Sequence, residues 1–389
     1  MLLAAPLFLF TLAVFVVPIV LILTKAVDNP EVVTGLPRTS TAIGGWSGAG
    51  DLPSDEVFRA LIADLGDRSP AAARNIAAAA RRLNYEMGGF RSLLIASARG
   101  AKSAGAATDA RQTLLGIDPR WGEVGTWTAI KRAAPVHTAY YTLAALDLRQ
   151  DSEGGLERVS PDQRAYVDVL LRTLRIAGVT TLICLILGYP LAAVMASASH
   201  GFAAVLLGAV LLPFWTSLLA KTSSWIVILQ QDGPVNKLLM LTGLTSAPVP
   251  LIFNSTGLYI VMAHMMLPFT VLPIYSTMKG VPGQYMRASS SLGAHPIRGF
   301  LNVYLPMTMP GIGAGALLTF IVSAGYYVTP SLVGSPREQM LGYFVAYYAY
   351  TSINWGLAAA LSLVLLACVL ALYLLAGRFI GVRQIAGLK

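Results

Sequence analysis

Residues Gln284–Gly311, QYMRASSSLGAHPIRGFLNVYLPMTMPG, decide the fold of this chain. A polar, basic and helix-forming stretch is wedged there between two strongly apolar runs. It carries Gly293 at its centre and a Leu305-Pro306 pair twelve residues further on. A short polar helix in that position connects two membrane spans, so the rest of the chain should supply more of them. Of 389 residues, 55% are hydrophobic and 12% charged, and the mean hydropathy is +0.64. Soluble domains carry about 25% charged residues, so this is an integral membrane protein.

Crossing about 30 Å of hydrocarbon takes roughly 20 apolar residues. Six runs qualify, at about 2–24, 172–196, 202–221, 257–279, 305–325 and 356–377. A β-barrel would instead show short alternating segments. The expected fold class is therefore all-α, with six transmembrane helices. The first run has no basic n-region and no small-residue cleavage pattern, and is read as a retained span rather than a signal peptide. Gly188-Tyr189-Pro190 should kink or end the second span, and the fifth is expected to begin at Pro306. Cys184 and Cys368 both sit inside apolar runs, as small core residues, and give neither a disulfide framework nor metal-ligand spacing.

The net charge of +9 is unevenly spread. Segment 25–165 holds 17 of the 28 Lys/Arg and 16 of the 19 Asp/Glu, so it is nearly neutral; the other 248 residues keep 11 basic and 3 acidic groups. Lys279, Arg287 and Arg298 in the connecting stretch, with Arg378, Arg383 and Lys389 at the C-terminal end, place both on the cytoplasmic side by the positive-inside rule. Six spans then put the N-terminus inside and 25–165 outside. This basicity needs no nucleic-acid partner.

Three regions follow: a first transmembrane helix (1–24), a mainly helical extracytoplasmic insertion (25–165), and a transmembrane core (166–389) with its connecting loop at 280–304. In the insertion, Asn29–Asp51 is rich in Gly, Ser, Thr and Pro and reads as loop. Helical patterns cover Asp55–Leu65, Pro70–Ala98 (capped by Ser69-Pro70) and Trp127–Leu148. No run alternates at period two, so no strand is expected. The insertion would either dock a binding protein or only pack on the membrane part.

The connecting stretch resembles the cytoplasmic loop of ABC-importer permease subunits. That loop has the pattern E-A-A, three residues, G, and later I-x-L-P. Arg287-Ala288-Ser289, Gly293 and Val303-Tyr304-Leu305-Pro306 stand at those positions, with Arg287 where Glu is usual. LGYP (187–190), LLPFWTSLLAKTSSW (211–225), LPFTVLPIY (267–275) and YYVTPSLVG (326–334) look like the first permease of spermidine/putrescine-type importers. The likeness covers roughly Ala165 to Gly377 plus the first span, and does not obviously include the 25–165 insertion. It implies a MetI-like five-helix core, a bacterial inner-membrane location, and ATPase coupling through Arg287, Ala288, Ser289, Gly293, Pro296, Leu305 and Pro306. It also implies a second homologous permease subunit, an ATPase dimer carrying ATP and Mg, a periplasmic solute-binding protein and surrounding membrane lipid.

The chain's own chemistry is sparse. It has no G-x-x-x-x-G-K-[ST] phosphate loop, so no cofactor is expected in this chain and no catalysis. His137, His200, His264 and His295 form no i, i+4 pair with a Glu, and only His264 falls mid-span. The Asn254-Ser255-Thr256 sequon reads as a loop coincidence. Asp168, Asp232 and Glu338 lie near span ends or in loops, whereas ion-coupled carriers place ionisable groups within the membrane; a secondary transporter is the rival class. Candidate path residues are Trp215, Thr216, Lys221, Tyr326, Tyr327 and Thr329, whose aromatic faces would hold an organic cation. Lys221 suits a cation path poorly and reads as an outer-mouth anchor rather than a binding group, and Trp225 reads first as an interface anchor.

Overall fold

The computed structural model describes residues 5–48, 50–103, 109–151 and 155–380. Arg383 and Lys389, with the first four residues, lie outside the described residues. Two compact units divide the chain: one runs to Arg164 and takes in Ile353–Ala360, and the other comprises Ala165–Ser352 and the residues from Leu361 on. Among the described residues, five helices are long and apolar enough to cross a membrane: Ala5–Thr24, Tyr166–Ser197, Ser255–Lys279, Pro296–Gly325 and Trp355–Arg378. There is a sixth if the pair His200–Trp215 and Leu218–Leu241, bent by 106°, counts as one span.

The first unit opens with α1 (Ala5–Thr24), which buries nothing. Short helices α2 (Pro30–Gly35) and α3 (Pro37–Ala42) follow where the composition reads as loop. Each starts with proline at a first-turn position, where the missing N–H costs nothing, and together they bury Val32, Leu36 and Thr39. The buried Asp64 carboxylate accepts from the Thr39 amide and hydroxyl, both at 2.8 Å, and so holds the α3 N-terminus. Asp64 belongs to α4 (Asp55–Leu65), which has the expected bounds. The pattern over Pro70–Ala98 breaks into α5 (Pro70–Glu86) and α6 (Phe90–Ser103), because Gly89 turns the chain at φ +84°. Ser69 caps α5 as the sequence indicates, accepting from the Ala72 amide at 3.1 Å.

Beyond α7 (Ala110–Ile117), the Trp127–Leu148 pattern also divides. It becomes α8 (Val124–Ala133) and α9 (Tyr140–Ala144), separated at Pro135. A two-stranded antiparallel hairpin then appears where no strand is expected: β1 (Leu148–Gln150) pairs with β2 (Leu156–Arg158), Leu148 opposite Arg158. Three residues are too few to display a period. Phe58, Trp121 and Trp127 centre the core, with Trp127 at 4.5 Å from Phe58 and 5.2 Å from Trp121 between ring centroids. Both buried indoles donate, Trp127 to the Trp121 carbonyl and Trp121 to the Ser97 hydroxyl, which removes the cost of burying an unpaired N–H.

In the second unit, α10 (Tyr166–Ser197), α14 (Ser255–Lys279) and α16 (Pro296–Gly325) pack together. Between them come α11 (His200–Trp215), α12 (Leu218–Leu229), α13 (Pro234–Leu241) and α15 (Gln284–Ser291). Small residues set the approach of α16 to α14, as is usual for membrane helices. A Cβ on Gly315 would stand 2.8 Å from the Thr270 carbonyl oxygen, and one on Gly311 2.9 Å from that of Pro273. The Thr270 and Thr319 hydroxyls meet at 2.6 Å on the same seam.

Pro190 neither ends nor interrupts α10, which continues to Ser197. Asn254 does more than fill a loop: its side-chain oxygen caps α14, accepting from the Gly257 amide at 2.9 Å. After α16 come α17 (Val328–Val333), α18 (Leu341–Ala346) and α19 (Trp355–Ile380).

Candidate functional site

The connecting stretch folds into a compact knob. Helix α15 ends at Gly293, which adopts φ +83° with open space around it. The Ala294 amide bonds the Ser289 carbonyl at 3.1 Å and the Gly293 amide bonds that of Ser290 at 3.0 Å. This is a Schellman cap, and it needs a residue that tolerates the left-handed region. The chain reverses at once: His295 Nδ1 accepts from the Ile297 amide at 3.4 Å, and Pro296 occupies the first turn of α16. A Cβ on Gly299 would lie 3.0 Å from Ser289 Oγ and 3.4 Å from Met286 Cε, so α15 and the start of α16 lie back to back. Arg287 and Ala288 stay exposed, while Ser289 is half-buried against that seam.

Leu305 and Pro306 do not start the span. Helix α16 begins at Pro296 and passes through them by way of a π turn, Phe300–Tyr304. The Leu305 amide bonds the Phe300 carbonyl, one residue further back than in an α-helix. That shift lets Pro306, which has no N–H to offer, continue the helix. Phe300 stacks on Tyr304 with ring centroids 6.0 Å apart and meets Tyr189 of α10 edge-on at 6.2 Å. The Tyr189 and Thr308 hydroxyls are 3.2 Å apart. The knob is thus tied to α10 through one tyrosine and to α14 through the Gly311–Gly315 seam.

A second set of polar contacts lies at the 106° break between α11 and α12. Pro213 exposes its carbonyl there, and both Thr216 Oγ1 (3.4 Å) and the Lys221 ammonium donate to it. A cation at a helix C-terminus meets the negative end of the dipole, and this contact ties Lys221 to the bend. One turn on, the Thr222 and Thr329 hydroxyls lie 3.3 Å apart and fix α12 to α17. Trp225 donates through Nε1 to His264 Nδ1 at 3.2 Å and packs edge-on against that ring.

Of the six sequence-based path candidates, Tyr326 and Thr329 join this interior set, Tyr326 packing on the same apolar cluster as Trp225. Trp215 and Thr216 are exposed at the bend, Trp215 to 77%. Tyr327 points elsewhere, towards Gly342. Sequence reasoning missed Tyr189, Phe300, Thr222 and the Trp225–His264 pairing. The LGYP motif named Tyr189, but only the fold supplies its partner.

Long apolar helices, a capped knob at the turn between two of them, and a broken span with polar contacts at its bend describe a polytopic membrane protein. The chain belongs to the family of binding-protein-dependent transport system inner membrane components, whose model matches residues 179–380. It is 32% identical over 219 residues to the spermidine/putrescine transport system permease protein PotB of Haemophilus influenzae, covering 56% of this chain and 77% of that protein. It is 34% identical over 226 residues to the inner membrane ABC transporter permease protein YdcU of Escherichia coli (54% and 70%). A chain of the solved bacterial alginate ABC transporter superposes with TM-score 0.47 at 15% identity, covering 56% and 79%.

Proposed function

We propose that this chain is the membrane permease subunit of an ATP-driven ABC importer and forms half of a translocation path for a polyamine or similar small organic solute. Membership of the family and the likeness to PotB support that class of cargo. The observation that carries the coupling reading is the knob, an exposed, rigidly capped reversal whose far end is packed directly into the α10–α14–α16 bundle. Arg287, Ala288, Gly293 and Pro296 form its working face, Ser289 braces that face from the seam behind it, and Leu305 and Pro306 form its joint to the span. A separate ATPase dimer binds ATP with Mg and docks on the knob, and this chain itself catalyses nothing. A second homologous permease completes the path, and a solute-binding protein delivers cargo from the opposite face of a bacterial inner membrane. Both termini and the knob face the cytoplasm, and the 25–165 insertion faces outward.

Within this reading Tyr326 and Thr329 lie nearest the path, Trp215, Thr216 and Lys221 shape the bend, and Tyr327 is peripheral to it. ATP-driven closure of the ATPase pushes the knob, and the packed helices follow because differential binding of the two states biases one equilibrium. Native mass spectrometry of the tagged chain, extracted gently from its own membrane, tests this. The expected result is a second permease and two ATPase copies; the chain alone, with uptake driven by an ion gradient without ATP, would sink it.

A further inference from the structure

The knob's charge is one-sided. From Asp232 to Glu338 the intervening sequence holds no Asp or Glu, while Lys279, Arg287 and Arg298 place three cations on and beside the knob. All three are exposed, and none forms an ion pair among the described residues. Beside them stand apolar side chains left in the open: Leu292 is 89% exposed and Ile297 62%, with Tyr285 and Leu301 close to half. Exposed apolar groups carried on one short reversal mark a contact surface. Cations alongside them set the sign of what that surface meets, because like charges at an interface are strongly disfavoured.

We propose that the groove receiving this knob is acidic, with an apolar floor for Leu292 and Ile297 and carboxylates on its rim facing Arg287 and Arg298. This rests on the reading that the knob docks an ATPase subunit, and it names the partner surface that reading requires. The shape favours a concave protein surface over anionic lipid. An interfacial helix lies flat and needs a long apolar stripe, whereas α15 has eight residues and reverses sharply at Gly293. Removing the rim charges should slow association and weaken its salt dependence.

The test uses the intact complex, purified through a tag on this chain, with retained ATPase measured between about 50 and 500 mM salt. The variants are Arg287→Glu/Arg298→Glu and, separately, Leu292→Ser. Every substituted side chain is exposed, so all variants should reach the membrane folded, which thermal stability checks. The double reversal should lose ATPase roughly tenfold at low salt, in detergent as well as in lipid nanodiscs. Retention by the double reversal with unchanged salt dependence, while Leu292→Ser releases the ATPase, overturns the acidic groove and leaves the docking reading standing. Retention by both removes the docking reading itself. A loss seen only in anionic nanodiscs assigns the cations to lipid and overturns the proposal.

Discussion

Tyr189 and Thr308 hold their hydroxyls 3.2 Å apart, one on the long helix α10 and the other on α16 just past Pro306. Phe300 closes on the same tyrosine from the π turn, at 6.2 Å. The pair therefore joins the knob's exit to a helix 119 residues away in sequence. Two variants separate the contributions. Tyr189→Phe removes one hydroxyl contact, of net value about 0.5–1.5 kcal/mol, and should leave uptake within about twofold. Tyr189→Ala removes the ring as well, and because that side chain is only partly buried the loss should fall below the about 3–5 kcal/mol of a fully buried aromatic. It should uncouple the transporter, so that proteoliposomes hydrolyse ATP but accumulate little solute. Equal losses of both activities would show that the ring only supports folding.

At Gly293 the expected ranking follows from backbone conformation alone. Nothing lies within 4 Å of the position its Cβ would take, so sterics with neighbours contribute nothing. The left-handed φ of +83° costs an ordinary residue about 1–2 kcal/mol and Asn less. Gly293→Asn should retain most transport, Gly293→Ala less, and Gly293→Val least, as the cap loosens in that order. Hydrogen exchange at the Gly293 and Ala294 amides measures the cap directly. An unordered series would mean that the cap geometry is not what the knob requires.

The long helices and the knob glycine were legible because hydropathy and a φ-permissive residue are local signals. The break at Thr216-Ser217 was not, since 202–221 is apolar enough overall to read as one span and the contact of Lys221 with the Pro213 carbonyl exists only in the fold. Segment Asn29–Asp51 misled for a related reason. Pro30 and Pro37, read as loop formers, start helices whose support comes from the distant Asp64 and from burial of Val32 and Leu36. The hairpin at 148–158 was too short to show a period. The polar pairs that organise the site, Trp225 with His264 and Thr222 with Thr329, join residues 39 and 107 apart. No one-dimensional pattern encodes such partners.

Glu338 supplies a pH prediction outside the spans. Burial pushes its carboxyl up, but hydrogen bonds from the Ser335 hydroxyl, the Ser255 hydroxyl and the Ser335 amide together outweigh it and hold the group below its ordinary value. Its folded pKa is thus depressed, so its stabilisation is present above the unfolded carboxylate range and lost as pH falls through the folded value. The capping box at Ser335, and its tie to the start of α14 through Ser255 at 2.8 Å, should loosen only in acid. Glu338→Gln should show the loosened state already at neutral pH, read as faster exchange of the Ser335 amide. An identical acid profile in that variant would assign the transition to another group.

Among the described residues, Arg82 is the most deeply buried charge of the first unit, 1% exposed. Its Nε donates to Asn29 Oδ1 at 2.6 Å and its Nη2 to Glu86 at 2.9 Å, with the guanidinium 4.5 Å over the Tyr140 ring. Burial, with Glu86 adding to it, pushes the Tyr140 hydroxyl up to about 12, so that ring stays neutral. Asn29 in turn binds the carbonyls of Ala133 and Pro135 at 2.7 and 2.8 Å. One side chain therefore fastens the segment after α1 to α5 and to the loop after α8. Arg82→Met leaves Glu86 buried with only Arg132 at 3.7 Å, and breaking a buried pair costs about 3–5 kcal/mol. Arg82→Met/Glu86→Leu removes both charges and should recover much of that loss, since apolar replacement of a buried pair is often near neutral. Hydrogen exchange over 79–86 in the full-length protein distinguishes the two. A double variant as unstable as the single would show that the fork to Asn29, not the ion pair, holds this unit together.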